Sequence, residues 1–364
     1  MLKTSIFPGR YTQGPDALAK LGEELARYGK KGFAVCDKYA LEEILPTHKE
    51  SIAKATEVVY EQFQGECSDE EIARLVFAVK EKGADVLVGV GGGKALDTAK
   101  AVAYELKLPV IIVPTIASTD APCSALSVIY EADGTFKRYL VLPKNPDLVL
   151  VDSAVVAQAP VRFLVAGMGD ALSTWFEAES CRVKYAGNMT GNVGTMSAYA
   201  LAELCYNTLL DYGVEAKISA EAGAVTPALE RVIEANTLLS GLGFESGGLG
   251  ACHAVHNGLT ALEGTHAYYH GEKVAIGVLT ELFLTDKEPG LMDEVYGFCE
   301  AVGLPTTLAE VGLENAGEEE LRKVAQKACA QGETIYNELV PITAEAVLAA
   351  LKAADAYGRK RKKA

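Results

Sequence analysis

The feature that most restricts the possible folds is a glycine-rich turn between an apolar run and a helical segment. Residues 84–90 are almost entirely apolar, and the glycines at 91–93 lead into a helical pattern over residues 94–106. Two more runs, at 32–37 and 110–114, have the same apolar character. Strands that are apolar on both faces are typical of a parallel sheet covered by helices. We therefore predict a doubly wound α/β domain with a mainly parallel sheet.

The character of the chain changes after Pro160. Before it, we predict a hairpin with strands at 127–130 and 139–142, and one more strand at 148–151. After it, the strand-like runs give way to helical periodicity. The predicted helices are 162–181, 194–210, 226–239, 250–263 and 344–357. The predicted fold is thus an α/β Rossmann-like domain over residues 1–159, followed by an all-α helical domain over residues 160–364.

Composition restricts the partners of the chain. A net charge of −15 over 364 residues argues against general binding to nucleic acid or to anionic membranes. No apolar run reaches the ~20 residues that span a bilayer, and the N-terminus does not resemble a signal peptide. The eight cysteines form no CxxC pair, so we expect free thiols and a cytoplasmic location. We interpret the basic tail at 359–363 as the frayed, solvated end of the last helix.

The glycine-rich turn predicts a phosphate-binding site. Glycines allow phosphate oxygens to approach the backbone, and the following helix directs its first amides towards the anion. The turn is not a Walker A loop, because Val88 stands where that motif needs glycine and Ala95 replaces its Ser or Thr. It is not GxGxxG either, because Lys94 occupies the sixth position. Asp37, at the end of the first predicted strand, favours NAD over its 2′-phosphorylated relative.

The histidines predict a metal site. Four of the five lie within 18 positions, and these are His253, His256, His266 and His270. Neutral imidazoles are the commonest ligands of zinc and similar ions, and a catalytic zinc normally takes three protein ligands. Two histidines would then need one carboxylate. Spacing leaves three candidates for it, Asp170, Glu177 and Glu263.

Four segments carry a resemblance to a known family. They are residues 91–100, 114–122, 234–248 and 270–273. In these motifs, and from residue 5 to residue 357, the chain resembles the iron-containing, or group III, alcohol dehydrogenase family, in its zinc-dependent glycerol branch. The resemblance implies the dehydroquinate synthase-like architecture, with a Rossmann-like domain before a helical one. It also implies a homo-oligomer, an octamer in many members of the family.

The resemblance also assigns roles to individual residues. The implied metal ligands are Asp170, His253 and His270. The implied NAD-binding residues are Asp37, Gly91, Gly92, Gly93, Lys94, Thr115 and Ser118, with Ser124, Leu126 and Tyr130 on the nicotinamide side. Asp120 would bind a hydroxyl of the substrate, and His256 would lie near the substrate, either as a proton relay or as ordinary packing. Thr174 stands where iron-dependent members have a histidine, which favours zinc.

The activity implied is the reversible, NAD-dependent oxidation of glycerol to dihydroxyacetone by metal-assisted hydride transfer. One alternative is a glycerol-1-phosphate dehydrogenase, although the flanks of Asp120, Asp170 and His253 hold few basic residues for a phosphate. Another is a lyase of the dehydroquinate synthase type, which returns its NAD unchanged. The expected partner is a small polyol, with neither nucleic acid nor membrane.

Overall fold

The computed structural model describes residues 1–363, which divide into two compact units. The sheet unit comprises Ile6–Val161 and Ser219–Gly241, and the helical unit comprises Met1–Ser5, Arg162–Ile218 and residues 242–363. Two segments therefore lie on the other side of the predicted division at 159/160. The first residues join the helical unit because the amide of Thr4 bonds to the carbonyl of Val193, 3.0 Å away. Residues 219–241 join the sheet unit, where Thr237 bonds to Tyr11 and Glu230 accepts from Gln13.

The sheet unit is built on six parallel strands in the order β1-β8-β5-β4-β2-β3. The strands are β1 (Tyr11–Gly14), β2 (Lys31–Cys36), β3 (Glu57–Gln62), β4 (Val86–Gly91), β5 (Val110–Pro114) and β8 (Leu148–Asp152). The central strands β4, β5 and β8 are buried along their whole length. The fold predicted for this part of the chain is confirmed, including the apolar runs that form β2, β4, β5 and β8.

A separate hairpin follows β5. Its strands are β6 (Leu126–Tyr130) and β7 (Phe136–Val141), paired antiparallel with a bulge between Ile129 and Tyr130. The turn at residues 131–135 agrees with the predicted hairpin, while β7 begins three residues earlier than predicted. β6 alternates buried and half-buried residues, and most of β7 is exposed, as expected for a two-stranded ribbon with one solvated face.

Helices cover the sheet. They are α1 (Leu21–Leu25), α2 (Lys49–Ala53), α3 (Asp69–Lys82), α4 (Gly93–Leu106), α5 (Ser153–Gln158) and α8 (Pro227–Glu234). Helix α4 begins directly after the glycine-rich turn, one residue before its predicted start. The helix predicted at 226–239 is divided, because α8 ends at Glu234 and a π-helical turn follows at Ala235–Leu239.

The remaining helices form the helical unit, apart from a few of their terminal residues. They are α6 (Val161–Lys184), α7 (Met196–Glu221), α9 (Ser240–Gly247), α10 (Ala251–Leu259), α11 (His270–Leu284), α12 (Pro289–Val302), α13 (Glu318–Ala328) and α14 (Ala344–Arg361). Apolar side chains of α10, α11, α13 and α14 make one buried core, which includes Val255, Ile276, Val324 and Leu351. Within residues 1–363, no strand follows β8, which agrees with the predicted all-α part.

The basic end of the chain differs from our interpretation. Helix α14 continues to Arg361, and its guanidinium bonds to Glu300 and Asp293 at 2.7–3.0 Å. Lys362 pairs with Glu310 at 2.5 Å. The end is solvated, as interpreted, because four of the five basic residues are exposed. It is not frayed, because carboxylates of neighbouring segments pair with Arg361 and Lys362 and hold the last turn.

All eight cysteines are free thiols, as predicted, and all but Cys329 are buried. No helix within residues 1–363 combines the length and the apolar character that crossing a bilayer requires.

Candidate functional site

Three helices of the helical unit bring a carboxylate and two imidazoles together. Asp170 lies on α6, His253 on α10, and His270 begins α11. The Oδ1 atom of Asp170 lies 3.5 Å from Nε2 of His253 and 3.1 Å from Nε2 of His270. Asp170 is only 1% exposed. Both imidazoles therefore direct the same ring nitrogen at one oxygen of a buried carboxylate.

These distances fit a tetrahedral metal ion. Zinc binds histidine nitrogen and carboxylate oxygen at about 2.0–2.2 Å, which separates neighbouring ligand atoms by roughly 3.3–3.6 Å in a tetrahedron. The two distances from Asp170 lie within a few tenths of an ångström of that separation. The three side chains can each offer one ligand atom, all within 4.8 Å of one another. Two imidazoles and one carboxylate are a donor set that a catalytic zinc ion can use, with one position left for another ligand.

Glu177 sets the tautomer of His253. Its Oε2 lies 2.6 Å from Nδ1 of His253, and its Oε1 accepts the amides of Gly250 and His253 at 2.8 and 2.9 Å. A carboxylate can only accept here, so in the neutral ring Nδ1 carries the proton and Nε2 has the lone pair. A carboxylate on the second nitrogen is the usual partner of a histidine that binds metal. Glu177 therefore prepares His253 to be a ligand.

A chain of hydrogen bonds sets the tautomer of His270 in the same way. The amide nitrogen of Asn257 donates to Glu333 at 3.1 Å, so its Oδ1 faces Nδ1 of His256, 3.2 Å away, as an acceptor. His256 then donates from Nδ1 and accepts at Nε2, which lies 3.0 Å from Nδ1 of His270. His270 donates this bond and keeps a lone pair on Nε2, the atom that faces Asp170.

An ion pair fixes the start of α11. Arg162 bonds to both carboxylate oxygens of Glu272, at 2.6 and 2.9 Å. Glu272 also accepts the amide of Tyr269 at 2.7 Å, and the guanidinium lies 4.6 Å from the centre of the Tyr269 ring. The residue immediately before His270 is thus held by a hydrogen bond and by a cation–π contact.

The other sequence candidates lie outside this cluster or support it. His266 is exposed and bonds to the carbonyl of Thr260, and Glu263 is exposed as well. Thr174 is buried, and its methyl group packs so closely on Gly243 that a Cβ there would lie 2.2 Å from it. It offers no imidazole, so the set stays at three ligands. Of the three carboxylates left open by spacing, Asp170 faces both imidazoles and Glu177 lies behind one of them.

Burial and charge shift the titration of these groups. Burial alone would raise the pKa of Asp170, but the imidazoles of His270 and His253 lower it well below its usual range. Burial would lower the pKa of His253, but Glu177 and Asp170 outweigh that effect and raise it. Burial, together with His270 and His253, lowers the pKa of His256 well below its usual value. These shifts favour an ionised Asp170 and a neutral His256.

Two more buried carboxyl groups lie near Glu177. Glu338 accepts the amide of Ala251 at 2.9 Å and the hydroxyl of Ser180 at 2.6 Å. Glu281 accepts from the thiol of Cys252 at 2.8 Å and is fully buried. Burial raises the pKa of Glu281 well above its usual value, and the negative charges of Glu338 and Glu177 raise it further. These effects favour the protonated form of Glu281.

The sheet unit contains the predicted phosphate-binding turn. The carboxylate of Asp37 accepts the amides of Gly92 and Ala40 at 3.0 and 2.7 Å, which ties the end of β2 to the turn. Gly91 has φ +143°, and a Cβ there would lie 2.3 Å from Asp37. A Cβ on Gly93, in contrast, would meet nothing within 4 Å. The turn is thus closed on the Asp37 side and open at the first residue of α4, where an anion can reach the helix amides.

The other predicted dinucleotide residues surround this turn. The amide of Thr115 donates to the carbonyl of Gly91 at 3.1 Å. Lys94 lies 5.0 Å from the centre of the Tyr130 ring and pairs with Glu66. Burial raises the pKa of Tyr130 to about 12, so its hydroxyl stays protonated. The structure therefore brings Asp37, the glycines, Lys94 and Tyr130 to one end of the sheet unit.

The segment after β5 carries the rest. Ser118, Asp120 and Leu126 are partly buried, and Ser124 is almost fully buried. The hydroxyl of Ser240 donates to Oδ2 of Asp120 at 2.7 Å.

Our sequence reasoning missed several residues that support the cluster. They are Glu338, Arg162 and Glu272, which hold the starts of α10 and α11. Glu177 was considered only as a ligand, although its spacing held a signal. It lies seven residues after Asp170, which is two helical turns, so the two carboxylates had to share one face of α6. The others depend on contacts between distant segments and had no local signal.

Comparison with known proteins shows the family of the chain. The family model of the iron-containing alcohol dehydrogenases matches residues 8–153. The chain is 65% identical to a glycerol dehydrogenase of Thermotoga maritima over 362 residues, with 100% of this chain and 99% of the relative covered. It is 45% identical to a glycolaldehyde reductase of Halobacterium salinarum, with 98% and 99% covered. The crystal structure of a glycerol dehydrogenase from Schizosaccharomyces pombe superposes with a TM-score of 0.95, at 38% identity over 100% of this chain and 92% of that one. The chain is therefore an oxidoreductase that belongs to the iron-containing alcohol dehydrogenase family.

Proposed function

We propose that the protein oxidises glycerol at its C2 hydroxyl with NAD, reversibly, to give dihydroxyacetone and NADH, and that it holds one zinc ion per chain. The observation that carries the proposal is the convergence of two imidazole Nε2 atoms on the Oδ1 atom of Asp170, at 3.1 and 3.5 Å. The proposal is supported by the 65% identity to a glycerol dehydrogenase over the full length of both chains.

Asp170, His253 and His270 would hold the ion. A divalent ion bound there supplies Lewis acidity, which lowers the pKa of an alcohol hydroxyl. The protein's own contribution is to keep the ligands ready. Glu177 holds the proton of His253 on Nδ1, and His256 does the same for His270. The absence of a fourth protein ligand at Thr174 favours zinc over iron.

The contacts of His256 support a positioning role for it. Its Nε2 is occupied by the bond to His270, and its Nδ1 faces Asn257. Both ring nitrogens are therefore already used within the protein. We propose that His256 orients His270 and does not itself exchange a proton with the substrate.

The sheet unit would bind the dinucleotide. NAD supplies the carbon that accepts the hydride. We propose that the amides at the start of α4 and Lys94 hold the pyrophosphate, that Thr115 and Ser118 adjoin it, and that Asp37 accepts a ribose hydroxyl in addition to its two backbone bonds. The nicotinamide half would lie against Ser124, Leu126 and Tyr130. Asp120, fixed by Ser240, would accept a hydrogen bond from a glycerol hydroxyl.

The choice of substrate is the part of the proposal that the relatives constrain least. Two relatives that match over nearly their whole length are named for different substrates, glycerol and glycolaldehyde. Reduction of a small hydroxyaldehyde is thus the second candidate. Arg162, which lies near the start of α11, is already paired with Glu272 and so is not free for a substrate phosphate.

The test is to follow NADH absorbance with glycerol and NAD, using protein as purified, after EDTA and after zinc is restored. We expect activity that disappears with the chelator and returns with zinc. His253→Ala should abolish it, whereas His266→Ala, the matched change at an exposed histidine, should leave it intact. Absence of NADH in every condition would refute the proposal for glycerol. NADH consumption with glycolaldehyde, without NADH formation from glycerol, would indicate the second candidate. NADH formation with glycerol 1-phosphate but not with glycerol would indicate a phosphorylated substrate.

A further inference from the structure

A buried lysine joins the phosphate-binding helix to the segment that follows β5. Lys100 lies on α4, seven residues after Gly93, and its side chain is fully buried. Its ammonium pairs with Asp97 at 2.8 Å and donates to the carbonyls of Ala121, at 3.0 Å, and Leu126. The carbonyl and hydroxyl of Ser124 lie 3.5 and 3.4 Å away. One cation therefore gathers three backbone carbonyls from six consecutive residues.

Asp97 extends the same connection. Its Oδ2 accepts the amide of Val128 at 2.9 Å, and its backbone carbonyl accepts the hydroxyl of Ser127 at 2.9 Å. Together, Asp97 and Lys100 bond to five of the eight residues from 121 to 128. Because both residues belong to α4, the position of this segment is fixed relative to the glycine-rich turn at the start of that helix.

Stability alone is a weak reason for such an arrangement. A buried ion pair loses the hydration of both charges, and well-packed apolar side chains of the same volume often stabilise a protein at least as well. What the pair provides is register, because displacing residues 121–126 would leave the buried ammonium without the carbonyls that now accept its hydrogen bonds. A buried lysine at this point is thus better explained by a need to hold residues 121–126 in one position.

We propose that Lys100 is a positioning residue for the cofactor. By holding residues 121–126 it places Ser124 and Leu126 for the nicotinamide half of the dinucleotide, while the start of the same helix binds the phosphates. This inference rests on the dinucleotide site in the proposed function. It requires that loss of Lys100 weakens binding of the nicotinamide half and spares binding of the ADP-ribose half.

The test compares two ligands that differ by the nicotinamide ring. The Kd of NADH is measured from its own fluorescence on binding, and the Kd of ADP-ribose from competition with NADH. For Lys100→Met we expect the Kd of NADH to rise about tenfold, the equivalent of one hydrogen bond to a charged group. The Kd of ADP-ribose should change by less than about twofold, because its contacts with the start of α4 are not disturbed.

Two further variants separate positioning from general loss of stability. Asp97→Asn/Lys100→Met removes both charges, so it avoids an unpaired buried carboxylate and carries the test if the single variant does not fold. Asp152→Asn is the matched structural control, because Asp152 is a buried carboxylate of the same unit that binds the amides of Leu18 and Ala154 and touches neither end of the 121–126 segment. It should leave the ratio of the two Kd values unchanged.

Equal weakening of both ligands, or no change in either, would overturn the proposal. So would a wild-type protein that binds NADH no better than ADP-ribose. The result is independent of the substrate: a protein that binds NADH as expected but forms none from glycerol would refute the proposed function and leave the role of Lys100 standing.

Discussion

Replacing Glu177 by glutamine keeps the shape of the side chain and removes the charge beside His253. The new amide can keep its oxygen towards the amides of Gly250 and His253, where Glu177 now accepts at 2.8 and 2.9 Å. Its NH₂ group then faces Nδ1 of His253. Two donors cannot share a bond, so His253 moves its proton to Nε2, which is the atom that faces Asp170.

The cost of this change can be estimated from the lost contact. Binding a metal ion through Nε2 would require the proton to return to Nδ1, against the NH₂ group and without the 2.6 Å bond to the carboxylate. A hydrogen bond to a charged group contributes about 1.5–3 kcal/mol, which corresponds to roughly 10- to 150-fold in affinity. Loss of such a partner typically weakens metal binding by about 10- to 100-fold. We therefore expect Glu177→Gln to raise the Kd for zinc within that range.

The assay is competition for zinc between the apoprotein and a chromophoric chelator, with the metal content of the purified protein as a second measurement. Glu281→Gln is the matched control, since it makes the same substitution at an equally buried carboxyl group that does not bond to His253. It should keep the wild-type Kd. Zinc affinity unchanged by Glu177→Gln, or lowered equally by both variants, would refute the argument from the tautomer.

Three more changes test separate parts of the structure. The raised pKa of Glu281 means that the folded protein keeps a proton that the unfolded chain releases above pH ~4.3, so the free energy of unfolding should fall as pH rises above that value. Glu281→Gln should remove this part of the decline. The free energy of unfolding in urea is measured at pH 5 and at pH 8, and an equal change between the two pH values in both proteins would contradict the prediction. Gly93→Ala should leave the melting temperature near that of the wild type, because its Cβ meets nothing within 4 Å, while NADH binding weakens; unaffected binding would place the phosphates elsewhere. Glu66→Gln should release Lys94 and tighten NADH several-fold at low salt, since an exposed ion pair contributes up to about 1 kcal/mol, whereas weaker binding would assign Glu66 to the cofactor.

The sequence predicted those elements whose signal is local. Strands β4 and β5 are apolar runs buried along their whole length, and the glycines at 91–93 mark the start of α4 within one residue. The edge strands β1 and β3 were missed. β1 has four residues and β3 is half-exposed, so neither has the continuous apolar run that marks the central strands, and they become strands by pairing with β8 and β2.

The same distinction holds at the candidate site. The clustering of histidines indicated a metal site, because four such residues within 18 positions are rare in a chain with one elsewhere. The residues that hold the start of α10 and Asn257 could not be predicted in this way. Glu338 and Glu333 lie far in the chain from Ala251 and Asn257, to which they bond, so only the folding of a distant segment onto α10 makes them part of the site.

The start of α10 has a consequence for how the protein is made. Gly250 has no side chain to cap this helix, and the acceptors for its first amides are Glu177 and Glu338, contributed by segments on either side of it in the chain. The helix that carries His253 therefore lacks one of its two anchors until residue 338 has been synthesised and has folded back. The candidate metal site can take its final form only after this distant segment has packed against α10. Metal uptake at this site should thus follow the folding of the helical unit rather than nucleate it.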